Sequence, residues 1–204
     1  MWLSVAVTVL VGYLLGNMNG AIFTSKLMHD DVRKHGSGNA GLTNFVRNYG
    51  PAKALLVILI DGLKGTLACI IGGLLCNVYG CWLEGLAIGG AAVMLGHTYP
   101  VLLGFRGGKG ILSGLFVAIT VDWRIALLIL AVFIIAYLPT MYVSLGSVLA
   151  AATFAVGFVI FHHDNLTVML CGIFMGGLAV FMHRENIVRL IQKKERKTNL
   201  FKKG

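Results

Sequence analysis

Residues 35–48, HGSGNAGLTNFVRN, gather three glycines, a serine, a threonine, three asparagines and an arginine into fourteen positions. Closely spaced glycines such as Gly36, Gly38 and Gly41 let successive backbone N–H groups converge on an anion, because no Cβ blocks unusual dihedrals or close approach. Ser37, Asn39, Thr43 and Asn44 add neutral donors, and Arg47 adds a planar fork suited to phosphate. Taken alone, the stretch fits an anion clamp and an interfacial loop equally well, with Ser37 as a helix cap in the second case.

A second stretch, GHTYPVLLGFRGGKG at 96–110, repeats the combination. Arg106, Gly107, Gly108, Lys109 and Gly110 join glycine-permitted backbone to two cations. Lys109 opens an apolar segment whose free N–H groups and dipole favour an anion if it is helical. A nucleoside-triphosphate loop is disfavoured, because only three residues separate Gly104 from the glycine before Lys109 and no Ser or Thr follows. His97, at the end of an apolar run, reads either as a structural histidine or as part of the clamp. A third cluster, HRENIVRL at 183–190, places His183 and Asn186 on one helical face, with Glu185 beside them. Asp61 and Lys64 are also three apart inside an apolar run. They read either as supporting site residues, the default for intramembrane ionisable groups, or as a structural ion pair.

No metal-ligand spacing emerges. His162, His163 and Asp164 are consecutive in a turn and converge poorly. Ser37 and His183 make a conceivable nucleophile–base pair, but no acid is assigned to it. No metal and no cofactor are expected. The chemistry these residues suit is the holding of phosphorylated small molecules.

The elements that position them are membrane spans. Only 12% of residues are charged and 57% are hydrophobic, with a mean hydropathy of +0.84. Residues 1–25, 85–105, 125–161 and 165–182 contain no Asp, Glu, Lys or Arg. Such runs disfavour a soluble bundle and predict an all-α polytopic membrane protein, each span satisfying its own backbone. Residues 1–25 lack a basic leader and a cleavage box, so they read as a retained first span. Further spans are expected at 54–76, 83–103, 110–121 and 166–182, and the run 125–161 is divided at Pro139. Seven crossings result, or five if 110–121 and 125–138 form a re-entrant pair. Short interfacial segments are expected in the loops, and residues 1–204 read as one domain. Glycine pairs within spans, such as Gly72-Gly73 and Gly176-Gly177, suit close helix approach. Cys69, Cys76, Cys81 and Cys171 read as small apolar thiols.

The formal net charge of +9 is concentrated in 26–53, 104–109 and the tail, whereas the turns at 77–82, 121–124 and 162–165 hold Arg124 as their one Lys or Arg. That asymmetry predicts three basic segments on the cytoplasmic face and an external N-terminus. Basic segments beside anionic headgroups account for the charge without nucleic acid, and nothing implies an obligate protein partner.

Together the three stretches closely resemble the bacterial acyl-phosphate:glycerol-3-phosphate acyltransferases, over nearly the whole chain. The resemblance implies a seven-span inner-membrane enzyme with a cytoplasmic active site. Its reaction moves a fatty acyl group from acyl phosphate, and not acyl-CoA, to the 1-hydroxyl of glycerol 3-phosphate. Lysophosphatidate and phosphate are the products. It further implies catalytic roles for Ser37, Arg47, Lys109, His183 and Asn186. Binding roles fall to Gly36, Gly38, Asn39, Gly41, Thr43, Asn44, His97, Arg106, Gly107, Gly108 and Gly110. The sequence departs from the family pattern at Leu42, where Ala is usual, and at Arg106, where Lys is usual. It also departs at Asn17-Met18-Asn19, where Ser-x-Pro is usual. The implied mechanism is substrate-assisted: an acyl-phosphate oxygen takes the hydroxyl proton, and no protein base is needed. His183 as a base is the alternative. A carrier of organic phosphates is the rival function, although both clamps lie on one face and carriers place their site near the midplane.

Overall fold

Uncharged runs in this chain fold as helices, because a bilayer core offers the backbone no partner but itself. The computed structural model describes residues 1–198, and all regular structure among them is helical. Lys202 and Lys203, counted above with the basic tail, lie outside the described residues. Two compact units divide the chain after Val121.

In the first unit, α1 (Trp2–Gly16) and α2 (Gly20–Leu27) together form the apolar run expected as a first span over 1–25, with a break inside it. The break falls at Asn17-Met18-Asn19. There the Asn19 side chain caps α2 by accepting from the Ile22 N–H at 3.0 Å, and Asn17 Nδ2 donates back to the Tyr13 carbonyl at 2.7 Å. Amides so placed satisfy the orphan groups of a helix end inside an apolar layer. A polar connection then carries the short α3 (Leu42–Tyr49) before Gly50 and Pro51 open α4 (Pro51–Asn77). Next come α5 (Trp82–Thr98) and α6 (Ile111–Val121). The buried face of α3, centred on Phe45, packs on Val32, Ala54 and Val57 and seats the connection on α4.

Small residues set the helix spacing. Gly12 meets Ala92 and Gly16 meets Gly96, so α1 runs parallel to α5, while Gly72 against Gly85 and Gly89 against Ala68 make α4 antiparallel to α5. A Cβ at Gly72, Gly85 or Gly89 would strike a facing carbonyl, the close approach expected of such residues between membrane helices. In consequence the connections 28–50 and 99–110 lie at one end of this unit, and the 78–81 turn lies at the other.

The second unit holds α7 (Trp123–Thr140), α8 (Val143–Phe161), α9 (Leu166–Met182) and α10 (Arg184–Ile191). The division expected at Pro139 falls two residues later. The helix continues through Leu138 and Pro139 and ends where Met141 turns left-handed at φ 58°, its N–H still bonded to the Tyr137 carbonyl. Pro139 lacks the N–H that would bond the Ile135 carbonyl, and the helix ends one residue after it. Asp122 caps α7 and accepts from both Arg124 and His162, which pins the turns at this end. Gly176 packs on Ala155, whereas Gly177 has nothing within 4 Å. All four cysteines are unbridged.

Five apolar helical runs among the described residues are long enough to cross a bilayer, and a sixth is counted if α9 and α10, bent by 53°, form one span. The remaining apolar helix, α6, has eleven residues, short of the ~20 a crossing needs. A polytopic helical membrane bundle is the architecture. Among the described residues these five runs, α9 with α10, and α6 are the seven apolar segments expected as crossings.

Candidate active site

The first glycine-rich stretch is organised from within by Asn44. Its Oδ1 accepts from the Ser37 N–H at 3.0 Å, and its Nδ2 faces the carbonyls of Val32, His35 and Asn39 at 3.0–3.1 Å. Asn44 is 2% exposed; its amide is occupied at both ends in holding the loop, which does not fit the direct binding role expected of it. Gly36 and Gly38 take φ of +59° and +70°, left-handed values that suit glycine. Ser37 is exposed at the loop tip, Asn39 and Thr43 are half-buried, and Arg47 is exposed one turn after Thr43 on α3.

Two residues that sequence reading passed over tie this loop to the second. Asp31 caps the one-turn helix Val32–Lys34 and grips the Arg33 guanidinium through both oxygens, at 2.7 and 3.0 Å. Arg33 Nη1 then donates to the Leu103 carbonyl at 3.3 Å. The guanidinium holds the Asp31 carboxyl down at about 2 against the opposing effect of burial. On the loop's other flank, His35 Nε2 and the Tyr49 hydroxyl both meet Asp30, at 2.9 and 3.0 Å. These contacts lower the Asp30 pKa, the His35 hydrogen bond foremost. Burial, then the Asp30 contact, pushes the Tyr49 hydroxyl up to about 12. The sequence signal was present as an Asp two residues before an Arg in a loop, a spacing suited to capping and pairing together.

Between the loops lies a cleft of about 650 Å³, lined by Asp31, Arg33, Lys34, Gly38, Asn39, Leu103, Gly104, Arg106 and Gly107. Of the expected binding residues it gathers Gly38, Asn39, Arg106 and Gly107. Lys109 is half-buried just ahead of α6, whose first backbone bond runs from the Gly114 N–H to the Gly110 carbonyl at 2.7 Å. Gly107 and Gly108 are fixed by contact: the Gly108 N–H donates to the His97 carbonyl at 3.1 Å. A Cβ on Gly108 would strike His97 Nε2 and come within 2.8 Å of the Ala40 carbonyl. Gly41 is the N-cap residue of α3, and Gly110 adopts φ +82°.

Beneath the glycine turn sits a buried cluster built on Asp61 and Lys64, only 1% and 3% exposed. Lys64 Nζ reaches Asp61 Oδ1 at 2.8 Å, the Met18 carbonyl at 2.7 Å and His97 Nδ1 at 2.7 Å. Asp61 also accepts from the Gly20 N–H at 3.0 Å. A charge in an apolar layer is tolerated only when paired and hydrogen-bonded in this way. With Lys64 donating to Nδ1, the neutral His97 ring carries its proton on Nε2, toward Gly108. The Asn pair completes the frame. Asn19 Nδ2 donates to the Ala40 carbonyl at 3.1 Å, and Asn17 Oδ1 accepts from the Leu102 N–H at 3.0 Å. The break in the first span therefore anchors both loops.

The third cluster belongs to the second unit. His183 lies at the α9–α10 bend, 4% exposed, and its Nδ1 donates to the Ala179 carbonyl at 2.7 Å. That bond leaves Nε2 as the proton-accepting nitrogen of the neutral ring. Asn186 is buried one turn on, whereas the Glu185 side chain is 74% exposed and 3.7 Å from Arg189. Among the described residues no cluster of three metal-ligating side chains occurs.

Apolar helices with a basic, glycine-lined cleft at one end and a charged cluster buried beneath it define a polytopic membrane protein with a polar site at the helix ends. The family model for glycerol-3-phosphate acyltransferase matches residues 6–193, and the chain belongs to that family, a family of transferases. Over 191 residues, 93% of each chain, it is 39% identical to a glycerol-3-phosphate acyltransferase of Thermoanaerobacter sp. (strain X514). Over 189 residues, 92% of this chain and 93% of the relative, it is 39% identical to that of Finegoldia magna. The crystal structure of PlsY, an integral membrane glycerol 3-phosphate acyltransferase, in its glycerol 3-phosphate form superposes with a TM-score of 0.87 at 33% identity. That match covers 98% of this chain and all of the other. The lysophosphatidic acid form gives 0.83 at 34% identity, covering 97% and 96%.

Proposed function

We propose that the protein transfers a fatty acyl group from acyl phosphate to the 1-hydroxyl of glycerol 3-phosphate, releasing lysophosphatidate and inorganic phosphate. The observation that carries this reading is the cleft in which two glycine-rich loops bring Arg33, Lys34 and Arg106 together with glycine backbone. Cations beside an accessible backbone suit a phosphorylated substrate. Family membership and the likeness to a glycerol 3-phosphate form support the choice of that substrate.

In the reaction the glycerol C1 oxygen attacks the acyl carbonyl, and its proton passes to an oxygen of the acyl phosphate. The bond from the carbonyl carbon to the phosphate oxygen then breaks. The donor is already activated, so the protein's work is alignment and stabilisation of developing charge. Ser37, Arg47 and Lys109 are assigned to that stabilisation. Gly36, Gly38, Asn39, Gly41, Thr43, Arg106, Gly107, Gly108 and Gly110 are assigned to phosphate binding. Asn44, Asp61, Lys64 and His97 are assigned to holding the loops. His183 and Asn186 take the catalytic roles that the family resemblance implies. The basic connections at one end of the first unit face the cytoplasm in this reading, with the N-terminus outside.

The decisive experiment supplies purified protein with glycerol 3-phosphate and either acyl phosphate or acyl-CoA, following lysophosphatidate and released phosphate. Turnover with acyl phosphate alone is expected. Turnover with acyl-CoA overturns the donor assignment, and transport of glycerol 3-phosphate into proteoliposomes without turnover favours the carrier.

A further inference from the structure

The family match ends at residue 193, and the chain beyond it returns to α10. The helix closes with Lys193 in the left-handed region at φ 56°. The Lys193 and Lys194 N–H groups donate back to the carbonyls of Leu190 and Arg189 at 3.0 and 2.8 Å. This reversal brings Glu195 beneath the helix. Its carboxylate accepts from Arg189 Nε at 2.8 Å and from Asn186 Nδ2 at 3.3 Å, with the side chain 7% exposed. Three residues later the chain is fastened to the corner between α7 and α8. The Thr198 N–H donates to the Met141 carbonyl at 2.9 Å, and the Tyr137 hydroxyl donates to the Thr198 carbonyl at 2.9 Å. Lys197 Nζ lies 5.5 Å from the Tyr142 ring centroid. Both ends of the segment 193–198 are therefore fixed, with a buried carboxylate between them.

We infer that Glu195 is a positioning residue for acyl transfer, acting through Asn186; this rests on the assignment of Asn186 to the reaction. A carboxylate only accepts, so it pairs with the NH2 end of the amide and fixes which end Asn186 presents elsewhere. Arg189 neutralises that carboxylate, which makes its burial tolerable. The Glu185 side chain is 74% exposed and meets Arg189 Nη1 at 3.7 Å instead. The segment 193–198 is thus a strap that sets the orientation of a reacting side chain from outside the family-matched residues.

The test compares Glu195→Ala, Glu195→Gln and Asn186→Ala with wild type, measuring kcat, both KM values and the amount of folded protein. Glu195→Ala is expected to lower kcat about tenfold or more with KM for glycerol 3-phosphate nearly unchanged, because misplacement costs rate before binding. Glu195→Gln, which still offers an oxygen to Asn186, is expected to recover most of that loss. Wild-type kcat in Glu195→Ala beside an inactive Asn186→Ala overturns the inference alone. Wild-type kcat in Asn186→Ala overturns the assignment of Asn186 and the inference with it. Equal impairment of both Glu195 variants reduces the residue to a fold-holding charge. Should Glu195→Ala fail to insert, Thr198→Pro removes the N–H donated to Met141 while keeping the carboxylate. It is expected to lower kcat in the same direction, and wild-type kcat there overturns the inference.

Discussion

Lys109→Ala is expected to leave the protein folded and inserted while removing most activity. The loss of one charge-assisted contact to a phosphate is worth about 1–4 kcal/mol, several-fold to a thousandfold in rate. Lys109→Arg should recover little, because Gly108 and Gly110 pack on His97 and Met94 and leave little room for a broad planar head. Activity within twofold of wild type for Lys109→Ala would make this residue a surface anchor. His183 tests the proton path at the same scale. Its Nδ1 donates to the Ala179 carbonyl, so Nε2 is the nitrogen that would act if the residue were a base, whereas the donor substrate carries an acceptor of its own. A protein base contributes about 10²–10⁴-fold and imposes an acidic limb on the pH–rate profile, the rate falling as the base is protonated. Under substrate assistance, His183→Asn is expected to retain measurable turnover with that limb intact, and His183→Ala to be worse. If His183→Asn is as inactive as His183→Ala and the imidazole limb disappears, His183 is the base.

Loops between helices are positioned here by a few side-chain ties, and Asp31–Arg33–Leu103 joins the two clamps directly. Because the Asp31 carboxyl is held at about 2, below its ordinary 3.8, its contribution to stability is complete above 3.8. It is lost only as pH falls through about 2. The tie is therefore unchanged across an assay range of about pH 5–9. Asp31→Asn is accordingly expected to lower kcat/KM for glycerol 3-phosphate by the same factor at every pH in that range. A loss that grows or vanishes with pH in that window would assign the effect to another group. The Asn17 and Asn19 amides act at the same scale. Their side chains both serve the helix break and hold the Ala40 and Leu102 backbone.

Orientation in the membrane is a property of the whole molecule. A cysteine placed at Asn48, or in the described part of the tail at Arg196, is expected to react with an impermeant reagent from the cytoplasmic side. One at Val121 or Asp164 is expected to react from outside. Labelling of positions 48 and 121 from the same side would remove α6 as a crossing element. A split between 48 and 196 would separate the tail from the first clamp's face.

Periodicity was unnecessary for the fold, because uncharged runs beyond the length of a span leave the backbone no choice but helix. The three polar clusters stood out for the same reason, since donors and cations are costly in so apolar a chain and mark positions that need them. Run length also located α9 to the residue. It misplaced the end of α7, because the helix carries Pro139 into its last turn at the loss of one backbone bond, and it showed the first span unbroken, because two asparagines look polar without looking like caps. Tertiary structure decided the division of labour within the clamps. Asn44, an obvious donor by type, turned inward to hold its own loop. Arg33 and Lys34, unremarked in a charged stretch, came to line the cleft, and Asp61 and Lys64 met His97 from a different helix. The carboxylate on Asn186 proved to be Glu195, nine residues away, and not its neighbour Glu185. Spacing along a chain reports which residues share a helix face, whereas hydrogen bonds between elements depend on chain reversals such as the one at Lys193. Those reversals follow from packing that no local pattern encodes.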